Sequence, residues 1–335
     1  MEHVTLGRTG LKISRLGFGG IPIQRVDAHQ AAALLEAVRA GGINYIDTAR
    51  GYTVSEELIG QAIEGHRQAF VLATKSMARD RAAMAADIET SQHNLRTDYI
   101  DLYQIHNPTP EQLEQVCGAG GALEALQEAK SAGKIGHLGV TAHSLEVFRR
   151  ALALDWVETI MFPYNIVENQ GEELMAQARE KGVGFICMKP LAGGAIEDAG
   201  LALRYVCANP NVSVVIPGMY SPDEVAQNIA AAEDSAPLSD AEREKLEAIR
   251  QQLGTNFCRR CNYCAPCTAG ISIPNVFLFH GYLSRYGLEQ WARDRYGALA
   301  VKAASCVECG QCEERCPYHL PIRDMLKKAA KDFGA

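Results

Sequence analysis

The chain has 335 residues, 47% of them hydrophobic and 22% charged, enough to bury an α/β core of the 250-residue class plus a small appendage. No window approaches eighteen uninterrupted apolar residues, and Met1-Glu2-His3 opens neither a basic n-region nor an apolar h-region, so membrane spans and secretion are excluded and a cytoplasmic protein is expected. The net charge of −7 is uneven: residues 254–335 hold eleven basic and seven acidic side chains, so this segment is basic and the first 253 residues are strongly acidic.

Val4-Thr5-Leu6, Gly7-Arg8-Thr9-Gly10 and Leu11-Lys12-Ile13 read as an opening hairpin. Short apolar stretches then recur about every thirty residues: Leu16–Gly20, Ile43–Asp47, Phe70–Thr74, Tyr99–Ile105, Ile135–Val140, Thr159–Phe162, Gly184–Met188 and Val212–Ile216. Between them lie amphipathic stretches such as His29–Ala40 and Ala82–Leu95, with apolar residues at three- and four-residue spacing. Eight such units predict an α/β fold, a closed (β/α)8 TIM barrel over residues 1–253. A doubly wound sheet is disfavoured, because Gly17-Phe18-Gly19-Gly20 lacks the third glycine of a dinucleotide-binding fingerprint.

In such a barrel the chemistry sits at the C-terminal strand ends. Asp47 ends strand two, Tyr52 follows in its loop, Lys75 ends strand three and His106 ends strand four. Singly, each reads as a helix cap, a loop charge or a core hydrogen bond. Together they are a candidate catalytic set. The surrounding stretches are Gly7-Arg8-Thr9-Gly10-Leu11 with Leu16-Gly17-Phe18-Gly19, Asn44-Tyr45-Ile46-Asp47-Thr48-Ala49 with Tyr52 and Ser55-Glu56, Leu72-Ala73-Thr74-Lys75-Ser76, and Asp98-Tyr99-Ile100-Asp101-Leu102-Tyr103-Gln104-Ile105-His106.

In that order these stretches resemble the aldo-keto reductase family over nearly all of residues 1–253. The resemblance implies that Asp47, Tyr52, Lys75 and His106 form the family's catalytic tetrad. The chemistry agrees: a carbonyl that accepts hydride develops alkoxide charge and needs a proton donor. Tyr52 is that donor; its phenol titrates near 10 unless a cation lowers it, and Lys75, held by Asp47, supplies the charge. His106 orients the carbonyl oxygen.

The resemblance also implies a nicotinamide cofactor. Lys189 and Pro190-Leu191-Ala192-Gly193-Gly194 resemble the loop lining its pyrophosphate, where glycines let backbone N–H groups approach an anion. Ile216-Pro217-Gly218-Met219 through Asn228 resembles the adenosine segment, but NADP-preferring relatives place Lys at Gly218 and Arg at Glu224. Glu224 repels a 2′-phosphate and accepts from a ribose hydroxyl, so NAD(H) is expected over NADP(H). Thr141-Ala142-His143, Met161 and Met188 depart from the residues many relatives place around the nicotinamide ring. Asn165 remains as a polar partner, and His143 reaches either cofactor or substrate.

Eight of eleven cysteines lie in residues 254–335. Cys258, Cys261, Cys264 and Cys267 follow at two-residue gaps, as do Cys306, Cys309 and Cys312, with Cys316-Pro317 after three. The second run has the spacing of bacterial 4Fe-4S ferredoxins, whose fourth cysteine ligates the other cluster. The expected ligand sets are therefore crossed: Cys258, Cys261, Cys264 and Cys316 for one cluster, and Cys306, Cys309, Cys312 and Cys267 for the other. Two zinc ions compete, but structural zinc sites pair C-x2-C motifs across a longer loop. Each run leads into an apolar-Pro element, Ile271-Ser272-Ile273-Pro274 and Leu320-Pro321-Ile322, which suggests a duplicated half. Residues 254–335 thus read as a small ferredoxin-like iron-sulfur domain, resembling ferredoxin-containing aldo-keto reductases. Helix is expected over 239–253 and over Phe277–Gly297, and Cys117, Cys187 and Cys207 are expected in core packing.

Two functions compete. One is an oxidoreductase moving hydride between a nicotinamide and a small carbonyl or alcohol substrate, with two 4Fe-4S clusters for electron transfer or structure and a flavoprotein or ferredoxin as electron partner. The other is a redox-sensing or electron-relay module with little turnover of its own. Neither engages nucleic acid or membrane.

Overall fold

The computed structural model describes residues 1–254 and 256–334. They fall into two compact units: residues 1–165, 169–190 and 198–238 form the first, and residues 166–168, 191–197 and the described residues from Ser239 onward form the second.

In the first unit, β1 (His3–Thr5) and β2 (Lys12–Ser14) make the opening antiparallel hairpin, with Val4 opposite Ile13. Eight strands follow in parallel: β3 (Phe18–Gly19), β4 (Tyr45–Asp47), β5 (Val71–Ser76), β6 (Ile100–His106), β7 (Ile135–Thr141), β8 (Thr159–Pro163), β9 (Gly184–Met188) and β10 (Val214–Ile216). Their order around the sheet is sequential, and parallel bridges from Leu16 to Val215 and from Gly19 to Gly218 join β3 to β10 and close the barrel.

Local chemistry explains the intervening helices. The Ala28–Ala40 helix starts at a capping box, in which Asp27 accepts from the Gln30 N–H at 2.8 Å and Gln30 accepts from the Asp27 N–H at 3.0 Å. It buries Ala31, Leu34, Leu35 and Val38, one face at helical spacing. The Pro110–Cys117 helix has the same device with Thr109 and Gln112. Contrary to expectation, Cys117 is exposed at that helix's end; Cys187 is buried and Cys207 half-buried.

The opening hairpin closes the barrel floor. Leu6 and Ile13 are wholly buried in the interior cluster with Tyr45, Leu102, Met161, Ile186 and Val214. Gly7, at φ +51°, approaches Gly184 so closely that a Cβ would lie 2.3 Å from its amide nitrogen, so a side chain cannot stand there. With the N-terminal end filled, the opposite rim is left for ligands.

Among its described residues the second unit is helical: Asp240–Gly254, Ile273–Ser284, Glu289–Gly297, Gln311–Glu314 and Ile322–Phe333. The helix expected over Phe277–Gly297 is two helices, because the chain turns at Gly287, which has φ +61°. Each cysteine run leads into a helix, at Ile273 and at Ile322. Val276, Phe277, Leu326 and Ala329 from these two helices share one core with Cys264 and Cys316. Tyr296 stacks on Phe333 with centroids 3.9 Å apart and accepts the Ala303 N–H at 3.0 Å. Among the described residues no helix is long and apolar enough to cross a membrane.

Candidate active site and cysteine clusters

Alternation along the strands points Asp47, Lys75, Gln104 and His106 toward the barrel interior near its C-terminal rim. Asp47 and Lys75 are almost fully buried and form a direct ion pair; Lys75 Nζ also donates to the Thr48 carbonyl at 2.7 Å, and Gln104 donates to Asp47 at 3.2 Å. Burial pushes the Lys75 ammonium below its ordinary value and the Asp47 carboxyl above its own, while each partner opposes the other's shift. Lys75 Nζ lies 4.9 Å from the centre of the Tyr52 ring, and the His106 ring meets Tyr52 edge-on with centroids 6.0 Å apart. The four residues therefore converge on one place, although 59 positions of chain separate the first from the last.

A second ion pair, with its carboxylate buried and its guanidinium half-buried, braces this arrangement from outside the barrel. Glu56, 1% exposed, accepts from Arg50 at 2.5 Å, Thr74 at 2.7 Å and Ser91 at 2.8 Å. Arg50 in turn donates its N–H to the Lys75 carbonyl at 3.0 Å, so the strand end carrying Lys75 is tied to a satisfied carboxylate.

Along the rim from His106 runs a polar line that joins three residues the sequence named separately, His143, Asn165 and Lys189, to Asn107, which it did not. Asn107 accepts from His143 Nδ1 at 3.0 Å, and His143 Nε2 meets Lys189 Nζ at 2.9 Å. Asn165, fully buried after β8, donates to the Lys189 carbonyl at 2.9 Å. Lys189 and Asn107 both have left-handed backbone, φ +58° and +46°, a conformation that Asn adopts readily and Lys seldom.

The other expected cofactor residues divide between the units. Pro190 is buried in the first, whereas Leu191 and Gly193 count with the second, where Gly193 accepts from Arg285 at 2.9 Å. In the first unit Gly218 is exposed, Asn228 is buried, and Glu224 stands in the first turn of the Pro222–Glu233 helix, accepting the Tyr220 N–H at 2.9 Å. Arg25, unremarked in the sequence, lies over the Tyr220 ring at 4.2 Å and brings a cation to this segment.

The second unit's eight cysteines are all free thiols. Left-handed residues Arg260, Asn262 and Glu308 bend the C-x-x-C loops so that backbone N–H groups turn back on sulfur: Arg260 on Cys258, Tyr263 on Cys261 and Gln311 on Cys309. Burial pushes the Cys258 thiol up to about 11, and the neighbouring Cys261 and Cys316 add to the rise. Cys264 is pushed up to about 12 by burial and then by Cys258 and Cys261. Cys316 is thus a neighbour of the first run despite lying in the second. Cys267 lines a small cavity with Cys306, Cys309 and Cys312, at which Thr268 Oγ1 lies 3.2 Å from Cys309 Sγ. Among the described residues no three His, Cys, Asp or Glu side chains are gathered closely enough to hold a lone ion. Two groups of four thiols, each with N–H···S support, are a donor set that suits iron-sulfur clusters.

The fold and rim define a (β/α)8 oxidoreductase of the kind that carries its reactive side chains on strand ends. The sequence pattern of the Aldo/keto reductase family matches residues 15–201, and that of the 4Fe-4S dicluster domain matches residues 257–321. The chain belongs to the aldo/keto reductase family and carries a C-terminal 4Fe-4S dicluster domain. It is similar to L-galactose dehydrogenase of Arabidopsis thaliana, 28% identical over 305 aligned positions covering 74% of this chain and 94% of that one. The NADH-specific methylglyoxal reductase of Escherichia coli is 25% identical over 332 positions, covering 75% of this chain and 100% of that one. Among solved structures, the holo form of an aldo-keto reductase from Bacillus halodurans matches with a TM-score of 0.66 and 28% identity, over 74% of this chain and 96% of its own.

Proposed function

We propose that the barrel transfers hydride between NAD(H) and a small carbonyl or alcohol. The observation that carries this reading is the convergence of a phenol, an ammonium paired with a carboxylate, and an imidazole at one point of the rim. Tyr52 donates a proton to the oxygen of the carbonyl as that oxygen gains negative charge, and recovers it in the reverse direction. Lys75 stabilises the phenolate left behind, while Asp47, Thr48 and Gln104 fix its ammonium where that charge appears. His106 donates to the same oxygen and sets its direction. A bound nicotinamide supplies the hydride. Asn165, Lys189 and Pro190 would hold its ring end, and Gly218, Glu224 and Asn228 its adenosine.

The preference for NAD(H) rests on Glu224, whose carboxylate would repel a 2′-phosphate bound at this segment, and agrees with the name of the Escherichia coli relative. The clusters would supply one-electron transfer, one held by Cys258, Cys261, Cys264 and Cys316 and the other by Cys306, Cys309, Cys312 and Cys267. Because a nicotinamide gives two electrons as hydride and each cluster takes one, exchange between them would need a flavoprotein, whereas a ferredoxin would fit as a one-electron partner of the clusters alone. Thiols that hold iron fit a reducing compartment, which supports the cytoplasm as the proposed location. Cluster-loaded protein purified without oxygen, mixed with NADH and a panel of aldehydes and ketones, should oxidise NADH only when a carbonyl is present; no oxidation with any carbonyl favours the electron-relay function instead.

A further inference from the structure

Beneath the tetrad the barrel interior holds two polar groups that the chemistry of the rim leaves unused. The register of β5 to β8 sets Lys75, Gln104, Gly139 and Thr159 side by side at one level of the barrel. Their alternation with strand positions two residues away, where Ala73, Leu102 and Met161 belong to the interior cluster, points all four inward. Gln104 and Thr159 are wholly buried. Gly139 between them could carry no side chain, because a Cβ there would lie 2.2 Å from Thr159 Oγ1 and 3.2 Å from Gln104 Cγ. Both neighbours therefore use the space over this glycine.

Chemistry fixes which way the Gln104 amide faces. An ionised carboxylate only accepts, so the nitrogen of the amide must stand toward Asp47, to which it donates at 3.2 Å, and Oε1 is turned away. Among the described residues neither Gln104 Oε1 nor Thr159 Oγ1 has a hydrogen-bond partner. Buried polar atoms are seldom left so, and where the protein offers no partner the usual one is an ordered water. The level is also closed. Thr141 and Met161 lie in register with His106 one interior position nearer the rim, Leu102 lies one nearer the floor, and all three are buried. Two neutral oxygens beside the Lys75 ammonium do not suit a cation.

We propose that one internal water, accepting from the Thr159 hydroxyl and donating to Gln104 Oε1, locks the Gln104 amide against Asp47. Thr159 is then a positioning residue that acts through Gln104 and Asp47 on the Lys75 ammonium serving Tyr52. Its effect on turnover rests on the proposed hydride transfer; the water site does not. Besides Lys75, Gln104 is the only side chain among the described residues that donates to Asp47. Without the water, Oε1 is buried and unsatisfied, and nothing holds the amide nitrogen toward the carboxylate.

Diffraction from crystals of the cluster-loaded protein should show a water within hydrogen-bond distance of both Gln104 Oε1 and Thr159 Oγ1. No water there, or a direct bond from the hydroxyl to the amide in its place, would overturn the proposal without any variant having to fold. Thr159→Val keeps the shape of the side chain and removes the hydroxyl. It should lose the water, break the contact between Gln104 and Asp47, and lower kcat for carbonyl reduction about tenfold with KM for NADH and carbonyl unchanged. Thr159→Ser retains the hydroxyl and should keep the water and most of the turnover. A Thr159→Val protein that lost the water at full kcat, or a Thr159→Ser protein as impaired as Thr159→Val, would strip Thr159 of its positioning role. If the unmodified protein reduces no carbonyl, hydride transfer fails on its own, and the contact between Gln104 and Asp47 in Thr159→Val crystals decides the proposal: broken, it stands; kept, it falls.

Discussion

The barrel rim and the cysteine unit both concentrate reactive groups, and they stabilise them by opposite means. At the rim the protein supplies the counter-charge: Lys75 with Asp47, both buried, and half-buried Arg50 with buried Glu56, each pair further hydrogen-bonded. In the second unit burial raises the thiols, to about 11 at Cys258 and about 12 at Cys264, and their nearest ionisable neighbours include other cysteines. A metal ligand must be thiolate, so in the proposed reading this unit would gain its charge balance with iron, whereas at the rim the counter-charges are side chains of the chain itself. Removing one partner of a buried ion pair typically costs about 3–5 kcal/mol, so the rim is also a structural commitment of the barrel.

That contrast can be broken most severely at Tyr52. Tyr52→Phe removes only the hydroxyl and should lower carbonyl reduction by about two to four orders of magnitude with iron content and NADH affinity unchanged. Steady-state rates, an iron assay and a fluorescence titration on one preparation check this; an unimpaired rate would mean that the phenol is not the proton donor. Lys75→Met should be as harmful to turnover and should also leave Asp47 buried and unpaired, so its thermal midpoint should fall as well.

The next largest effect belongs to the thiols. Protein made without oxygen should contain about eight iron and eight sulfide per chain. Cys316→Ser should remove about half of the iron, and the electron paramagnetic resonance signal lost should be the one also lost in Cys258→Ser. Loss of the signal shared with Cys306→Ser would uncross the ligand sets, and stoichiometric zinc without visible absorbance would remove iron from the unit altogether.

A smaller shift is expected at the adenosine segment. Glu224→Arg with Gly218→Lys replaces repulsion by phosphate recognition and should move the NADP(H)-to-NAD(H) ratio of affinities about tenfold or more toward NADP(H). Arg25→Gln in the unmodified background should weaken any residual NADP(H) binding; tight NADP(H) binding by the unmodified protein would show that Glu224 does not face the 2′ position.

The smallest effect is one of stability on the barrel's outer face. Burial alone pushes the Glu158 carboxyl up, but hydrogen bonds from His137 at 2.7 Å, Lys130 at 2.7 Å and the Leu138 N–H at 2.9 Å outweigh it and leave it at about 2. A carboxyl held below its ordinary value stabilises the fold above about pH 4.5, and that contribution is lost as the pH falls toward 2. Because Lys130 is solvent-exposed, the contribution is modest, about 1 kcal/mol. Glu158→Gln should therefore lower the midpoint by about 2–4 °C at pH 6, with the difference closing near pH 2.5 in a pH series of melts.

Much of this molecule was legible along the chain because its signals are local. Strand ends at Asp47, Lys75 and His106 follow from apolar runs bounded by polar residues, the Ala28–Ala40 helix from its spacing, and the cysteine ligands from gaps of two and three. Each depends on residues within a few positions of one another, where covalent geometry already limits what is possible. Other features joined distant positions. Asn107, His143 and Lys189 stand 36 and 46 residues apart, and their line exists only because adjacent strands bring three loop starts to one side of the rim. Arg25 meets Tyr220 across nearly two hundred residues where the barrel closes between β3 and β10. The break at Gly287 and the exposure of Cys117 were likewise decided by packing, since hydrophobic pattern alone does not say which apolar face finds a partner. What the sequence determined by itself was which chemistry is carried and in what order. Which of those groups share a charge, a proton or a metal was decided by the tertiary structure, because electrostatic and hydrogen-bond energies depend on distance in space, and strand order and barrel closure set those distances.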